Sequence, residues 1–164
     1  MITLTGFMGS GKTTVGKVLA DFLGCPFMDL DDLIVKKAGK SIPEIFAQDG
    51  EPAFRQLEAR LLRQTVEKYT ENTVVLALGG AAVTAPASAA LLREKTVCIY
   101  LRATLDTLLQ RLQGETAGRP LADDSLAERL ASREPIYEET AHVIIDTDGL
   151  TPDEVADEII ISAL

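Results

Sequence analysis

Cysteine is scarce in this sequence: Cys25 and Cys98 are the only two, they lie far apart, and they form no CxxC pair. That excludes a disulfide scaffold. Cys98 sits in the apolar run Val97-Cys98-Ile99-Tyr100, the setting of a buried, reduced thiol. Long hydrophobic runs are missing too, since none approaches the ~20 residues that span a bilayer. The opening Met1-Ile-Thr-Leu-Thr-Gly6 is too short and uncharged for a secretory leader. A reducing cytosol is the expected setting. Positive charge is also in short supply, with 16 Lys and Arg against 25 Asp and Glu, for a net charge of −9. Such a surface repels phosphate backbones, so neither nucleic acid nor an anionic membrane is an expected partner. Histidine occurs once, and His142, with no Ser/Asp constellation beside it, reads as structural. Low-complexity segments, internal repeats and linker-like stretches are absent. A chain of 164 residues is one domain's worth. A domain of that size buries roughly 68–70% of its unfolded surface, so it folds without a disulfide or structural metal.

What the chain does have is alternation. Short β-rich runs at Ile2–Thr5, Pro26–Asp29, Thr73–Leu78, Thr96–Leu101 and Val143–Asp146 are nearly continuous in apolar residues, as parallel strands covered on both faces are. Between them lie helical stripes: Val15, Val18, Leu19, Phe22 and Leu23; Phe54, Leu57, Leu61, Leu62 and Val66; Leu105, Leu108, Leu109 and Leu112. Ser41…Glu44, Ser125…Glu128 and Thr151…Glu154 have capping-box spacing, and Pro152 suits a first helical position. The pattern predicts an α/β fold with a mainly parallel sheet. Two segments exceed simple crossovers. Residues 31–69 form an insertion of at least two helices. Residues 113–124 are polar and carry Arg119-Pro120, which fits either a mobile lid or an ordinary surface loop.

Gly6-Phe-Met-Gly9-Ser-Gly11-Lys12-Thr13 satisfies GxxxxGK[ST], with a strand before it and an amphipathic helix after it. Glycines let successive N–H groups curl around phosphate oxygens, and the helix points its positive end at the same place. Lys12 can bridge terminal phosphates and the Thr13 hydroxyl can ligate Mg²⁺. The motif predicts nucleotide phosphate binding without separating a kinase from an ATPase, a GTPase or a switch.

Asp29 and Asp31 end the second strand candidate, where an open α/β sheet borders its ligand crevice. If the strand continues, the two share a face. One carboxylate then supports Mg²⁺ and the other orients a hydroxyl or takes its proton; alternatively, Asp31 or Asp32 only caps the next helix. Arg55 and Arg133 offer planar forks for a carboxylate or phosphate, or lie on solvated helix faces and in surface salt bridges. Gly79-Gly80, just past the third strand, allow a ligand close to the backbone or make a plain turn. No acidic residue ends that strand, which leaves Asp29 as the better metal candidate.

The phosphate loop, Phe27-x-Asp29-x-Asp31, Phe54-Arg55, Gly79-Gly80, Arg119-Pro120-Leu121 and Arg133-x-Pro-x-Tyr137 occur in this order. Together they resemble the shikimate kinase family, from Ile2 to about Val155. The resemblance implies a P-loop NTPase fold of the nucleoside monophosphate kinase type, with five parallel strands ordered 2-3-1-4-5, a helical substrate-binding insertion and a lid. It implies ATP-dependent phosphorylation of the 3-hydroxyl of shikimate on the chorismate route to aromatic amino acids, with Mg²⁺, by a monomer. By the same resemblance Gly9, Ser10, Gly11, Lys12, Thr13 and Thr14 hold ATP phosphates, with Thr13 and Asp29 serving the metal. Asp31 binds the acceptor and is the candidate base. Arg55 and Arg133 pair with its carboxylate, and Gly79 and Gly80 approach it by backbone. Arg119 reaches the transferring phosphate, while Arg111 and Pro152 flank adenine. Where the family usually has a third glycine this chain has Ala81, which predicts a slightly shifted or weaker acceptor site. A related small-molecule kinase, such as a gluconate kinase, and a non-catalytic nucleotide switch remain the competing readings.

Overall fold

The computed structural model describes residues 1–115 and 124–164. The order is β1 (Ile2–Thr5), α1 (Lys12–Leu23), β2 (Phe27–Asp29), α2 (Leu30–Ala38), α3 (Ile42–Asp49), α4 (Glu51–Tyr69) and β3 (Val75–Ala77). There follow a 3-10 turn (Ala82–Thr84), α5 (Pro86–Lys95), β4 (Val97–Arg102), α6 (Leu105–Glu115), α7 (Asp124–Thr140), β5 (Val143–Asp146) and α8 (Pro152–Ala163). The five strands form one parallel sheet in the order β2-β3-β1-β4-β5. The insertion between β2 and β3 thus holds three helices.

Strand residues alternate between two cores. Ile2, Leu4, Val75, Ile99 and Leu101 pack under α1 and α8 with Val15, Leu19, Val155 and Ile159. Leu76, Cys98 and Tyr100 face the other way, into a larger core with Leu30, Ile34, Phe54, Leu62, Leu92 and Tyr137. Each fully buried Leu or Ile contributes roughly 1.5–3 kcal/mol, so both faces are firmly clad and the strand ends are held in register. Phe22 departs from its predicted stripe and is exposed at the end of α1.

The Ser41 and Thr151 capping boxes form as predicted. Ser125 does not sit at a cap, because α7 already begins at Asp124. Of the predicted 113–124 lid, residues 113–115 end α6 and residue 124 opens α7. The rest, Arg119 included, lies outside the described residues. No helix among the described residues is long and apolar enough to cross a membrane.

Candidate active site

The loop from β1 to α1 is a phosphate cradle. Gly9 and Gly11 take φ of 83° and 96°, left-handed angles that side-chain-bearing residues avoid. The N–H groups of Gly9, Gly11, Lys12 and Thr13 have no acceptor among the described residues. Helix α1 has no side-chain cap and no acidic residue in its first turn, whereas α2, α3, α4 and α8 all carry one there. The bare positive end of α1 therefore faces the cradle. Lys12 folds back on the loop, its Nζ donating to the carbonyls of Gly6 at 2.7 Å and Phe7 at 3.0 Å. Burial of the ammonium pulls its pKa down to about 8, against the opposing pull of Asp31 and Asp29. The Ser10 hydroxyl is buried inside the loop without a partner among the described residues.

The acidic pair is arranged differently from the expectation of a continuing strand. The chain turns into α2 at Leu30, and Asp29 is itself the N-cap, accepting from Asp31 N–H at 2.9 Å and Asp32 N–H at 3.4 Å. The cap reading was assigned to the wrong carboxylates. Asp29 also accepts from the Thr13 hydroxyl at 2.9 Å, which ties α2 to the cradle. Asp31 is left free of the cap. Its pKa is raised, first by burial and then by Asp29, with Lys12 opposing. A raised carboxylate pKa moves Asp31 toward the range useful to a general base.

Beyond Asp31 opens a cavity of about 330 Å³ lined by Asp31, Arg55, Glu58, Gly79, Gly80, Ala81, Arg129 and Arg133, with Met8, Ile42, Phe46 and Phe54 as apolar wall. Arg55 is half-buried rather than solvated. It lies over the Phe54 ring at 5.0 Å and donates to Glu58 at 2.9 Å, with Glu51 at 3.6 Å. Arg133 leans over the Phe7 ring at 5.6 Å. A Cβ on Gly79 would come within 3.0 Å of Glu58 Oε2 and 3.3 Å of Asp31 Oδ1, so Gly79 is needed for close approach. Ala81 has φ −108°, an ordinary angle for alanine, so the missing third glycine introduces no backbone strain.

Two residues here were missed by sequence reasoning. Glu58 is 4% exposed, and burial raises its pKa against the pull of Arg55. Its signal was available: it falls one turn after Phe54, on the apolar stripe itself. Arg129, one turn before Arg133 on α7, carried no such mark. Three arginines against two carboxylates make this cavity cationic within a chain of net charge −9.

On the other side of Lys12, a cavity of about 230 Å³ is lined by Gly9, Gly11, Lys12, Thr13, Thr14, Asp29, Asp31, Gly79 and Gly80. A third, of about 170 Å³, lies between Gly9, Ser10, Gly11, Thr14, Arg111, Thr147 and Pro152. Arg111 donates there to the carbonyls of Gly9 (3.4 Å), Ser10 (3.3 Å) and Thr147 (3.2 Å), bracing the cradle against the loop that leads to Pro152. A larger groove of about 370 Å³ between α4 and α5 shares no residue with these three. His142 is structural, as read. Its Nδ1 accepts from Cys98 N–H at 3.0 Å, so Nε2 donates to the Arg93 carbonyl at 2.9 Å.

Sheet order, cradle and shared cavities define a P-loop kinase that acts on a small molecule. The sequence model of shikimate kinase matches residues 8–163. The shikimate kinase of Enterococcus faecalis is 42% identical over 164 residues, covering 97% of this chain and 95% of that protein. That of Salinibacter ruber is 44% identical over 160 residues, covering 90% and 76%. Among solved structures, the Acinetobacter baumannii shikimate kinase in complex with shikimate is 34% identical, with TM-score 0.85, covering 97% of this chain and 89% of that one. The Bacteroides thetaiotaomicron enzyme is 30% identical, with TM-score 0.88, covering 99% and 98%. The chain belongs to the shikimate kinase family.

Proposed function

We propose that this protein transfers the γ-phosphoryl group of ATP to the 3-hydroxyl of shikimate, giving shikimate 3-phosphate and ADP. The observation that carries this reading is the shared wall: Asp31, Gly79 and Gly80 line both the cationic acceptor cavity and the phosphate cavity. An acceptor hydroxyl beside Asp31 is thereby set against the end of a phosphate chain. Arg55 and Arg133 supply the forks that pair with the acceptor's carboxylate, and Glu58 holds Arg55 in place. Asp31 orients the hydroxyl and accepts its proton as the new O–P bond forms. Lys12 leaves the loop carbonyls for the phosphates, and the amides of the cradle fix their oxygens. Arg111 and Pro152 flank the base. By the family resemblance Arg119, which lies outside the described residues, is assigned to the transferred group. Positioning and positive charge supply the catalysis, since phosphoryl transfer has a loose, highly charged transition state.

The Thr13 hydroxyl and Asp29 carboxylate, 2.9 Å apart, are an oxygen pair suited to Mg²⁺. Mg²⁺ keeps much of its hydration, so it would take its remaining ligands from phosphate and water. Held by Thr13 and Asp29, Mg²⁺ would supply positive charge against the phosphates. We further infer a single-domain monomer working in a reducing cytosol, with both cysteines free. Phosphorus NMR of the product tests the reaction. A phosphate monoester coupled to carbon 3 of shikimate is expected; orthophosphate alone, or a monoester on another oxygen, contradicts it.

A further inference from the structure

The acceptor loop after β3 is held entirely by its carbonyls. Gly79 C=O accepts from Ala82 N–H at 3.2 Å, and Ala81 C=O accepts from Thr84 N–H at 3.1 Å and from the Thr84 hydroxyl at 2.6 Å. Between them, Gly80 C=O accepts from the Tyr137 hydroxyl at 2.5 Å. The N–H groups of Gly79, Gly80 and Ala81 have no acceptor among the described residues. All three residues line the acceptor cavity. Each of the loop's carbonyls is already engaged, while its three N–H groups stay available to whatever enters. Unpaired N–H groups lining a cavity favour oxygen acceptors, so a ligand rich in hydroxyl and carboxylate oxygens is the fitting occupant.

The Gly80 bond comes from a distant helix. Tyr137 is fully buried on α7, with its ring 5.0 Å from that of Tyr100. Burial pushes its pKa up to about 12, against the pull of Arg133, so the phenol stays protonated and can only donate to a carbonyl. Arg133 lies one turn earlier on the same face. Its guanidinium sits 3.5 Å from where a Cβ on Gly80 would be. One helix therefore holds the Gly80 carbonyl and sets a guanidinium fork beside the same residue, facing the same cavity.

We propose that Tyr137 is a positioning residue for the acceptor: its hydroxyl locks the Gly80 carbonyl, and with it the peptide plane whose other end, the Ala81 N–H, is turned to the substrate, while Thr84 steadies the next carbonyl of the same loop. This inference rests on the shikimate reading. Tyr137→Phe keeps the ring and its packing and removes the hydroxyl, which donates to Gly80 and also contacts the Arg133 guanidinium; Thr84→Val touches the loop without touching Arg133. The KM for shikimate is expected to rise about tenfold, with the KM for ATP within about twofold and kcat within about threefold of the parent. Thr84→Val, at an exposed position, is expected to shift the same constant in the same direction by less, and it carries the test if Tyr137→Phe does not fold. Equal loss of affinity for both substrates, or a lower Tm with unchanged kinetics, assigns Tyr137 a purely structural role and overturns the proposal. If the parent protein shows no shikimate-dependent turnover, the functional reading fails by itself. The loop claim is then read from the Gly80 and Ala81 amide resonances of Tyr137→Phe. Displacement of those two beyond their neighbours supports it, and unchanged positions refute it.

Discussion

The nucleotide half and the acceptor half of this site are built on opposite plans. The phosphate cradle is one continuous stretch, Gly6 to Thr13, and works mainly through backbone amides and a helix end. The acceptor cavity draws side chains from α2, α4 and α7 and a loop after β3, separated by up to about a hundred residues, and works through charge pairs. A contiguous backbone device depends on local angles alone. A convergent one depends on the whole sheet order placing β2, β3 and β1 side by side. The difference teaches where each half is vulnerable: the cradle to a lost glycine or lysine, the acceptor cavity to the loss of any one distant partner.

Four changes break or sharpen that contrast. Arg119→Ala is expected to have the largest effect, a fall in kcat of roughly 10³–10⁵-fold with ATP binding retained. Near-parental turnover removes Arg119 from the mechanism. Arg133→Ala is expected to raise the KM for shikimate by about 30–100-fold and leave ATP affinity nearly unchanged, because Arg133 lines the acceptor cavity and not the phosphate cavity. Equal weakening of both substrates would show the halves to be one unit.

The third test separates them by pH. Lys12 has its pKa pulled from the ordinary lysine value down to about 8, so its ammonium is intact below that pH and lost above it. On the proposed reading the phosphates bind the charged form. ATP affinity is therefore expected to hold below pH 8 and to fall by about tenfold per unit above it, with proton uptake on binding. Calorimetry in buffers of differing ionisation enthalpy measures both, and an affinity flat from pH 7 to 9.5 contradicts the assignment. The smallest effect is expected from Ala81→Gly. The backbone at this position already suits alanine, so KM for shikimate should change less than about threefold. Stability should fall by about 0.5–1 kcal/mol through greater freedom of the unfolded chain.

The same contrast decides what could be read from the sequence. The strand–loop–helix geometry of the cradle was legible, because it is local and its spacing is fixed by one turn of chain. The strands and the α/β class followed from apolar runs; the strand order came from the family resemblance, since periodicity says nothing about which parallel strands are neighbours. The acceptor half was legible only as a set of residues. Nothing in the spacing of Asp31, Arg55 and Arg133 shows that they meet, and the turn at Leu30 that makes Asp29 a helix cap is a tertiary fact. Glu58 was overlooked because a glutamate one turn from an arginine on a helix usually forms a surface pair, and here it is buried.

The central claim is that the cationic cavity selects shikimate and that Asp31 joins it to the phosphate cavity. ADP release from Mg-ATP, measured alone and with shikimate, gluconate or adenosine monophosphate, tests that most directly. Release that is strong with shikimate and weak with the other two is expected. Release independent of shikimate, in a protein shown to bind ATP, would contradict it, and a response to another acceptor would reassign the cavity to a sibling kinase.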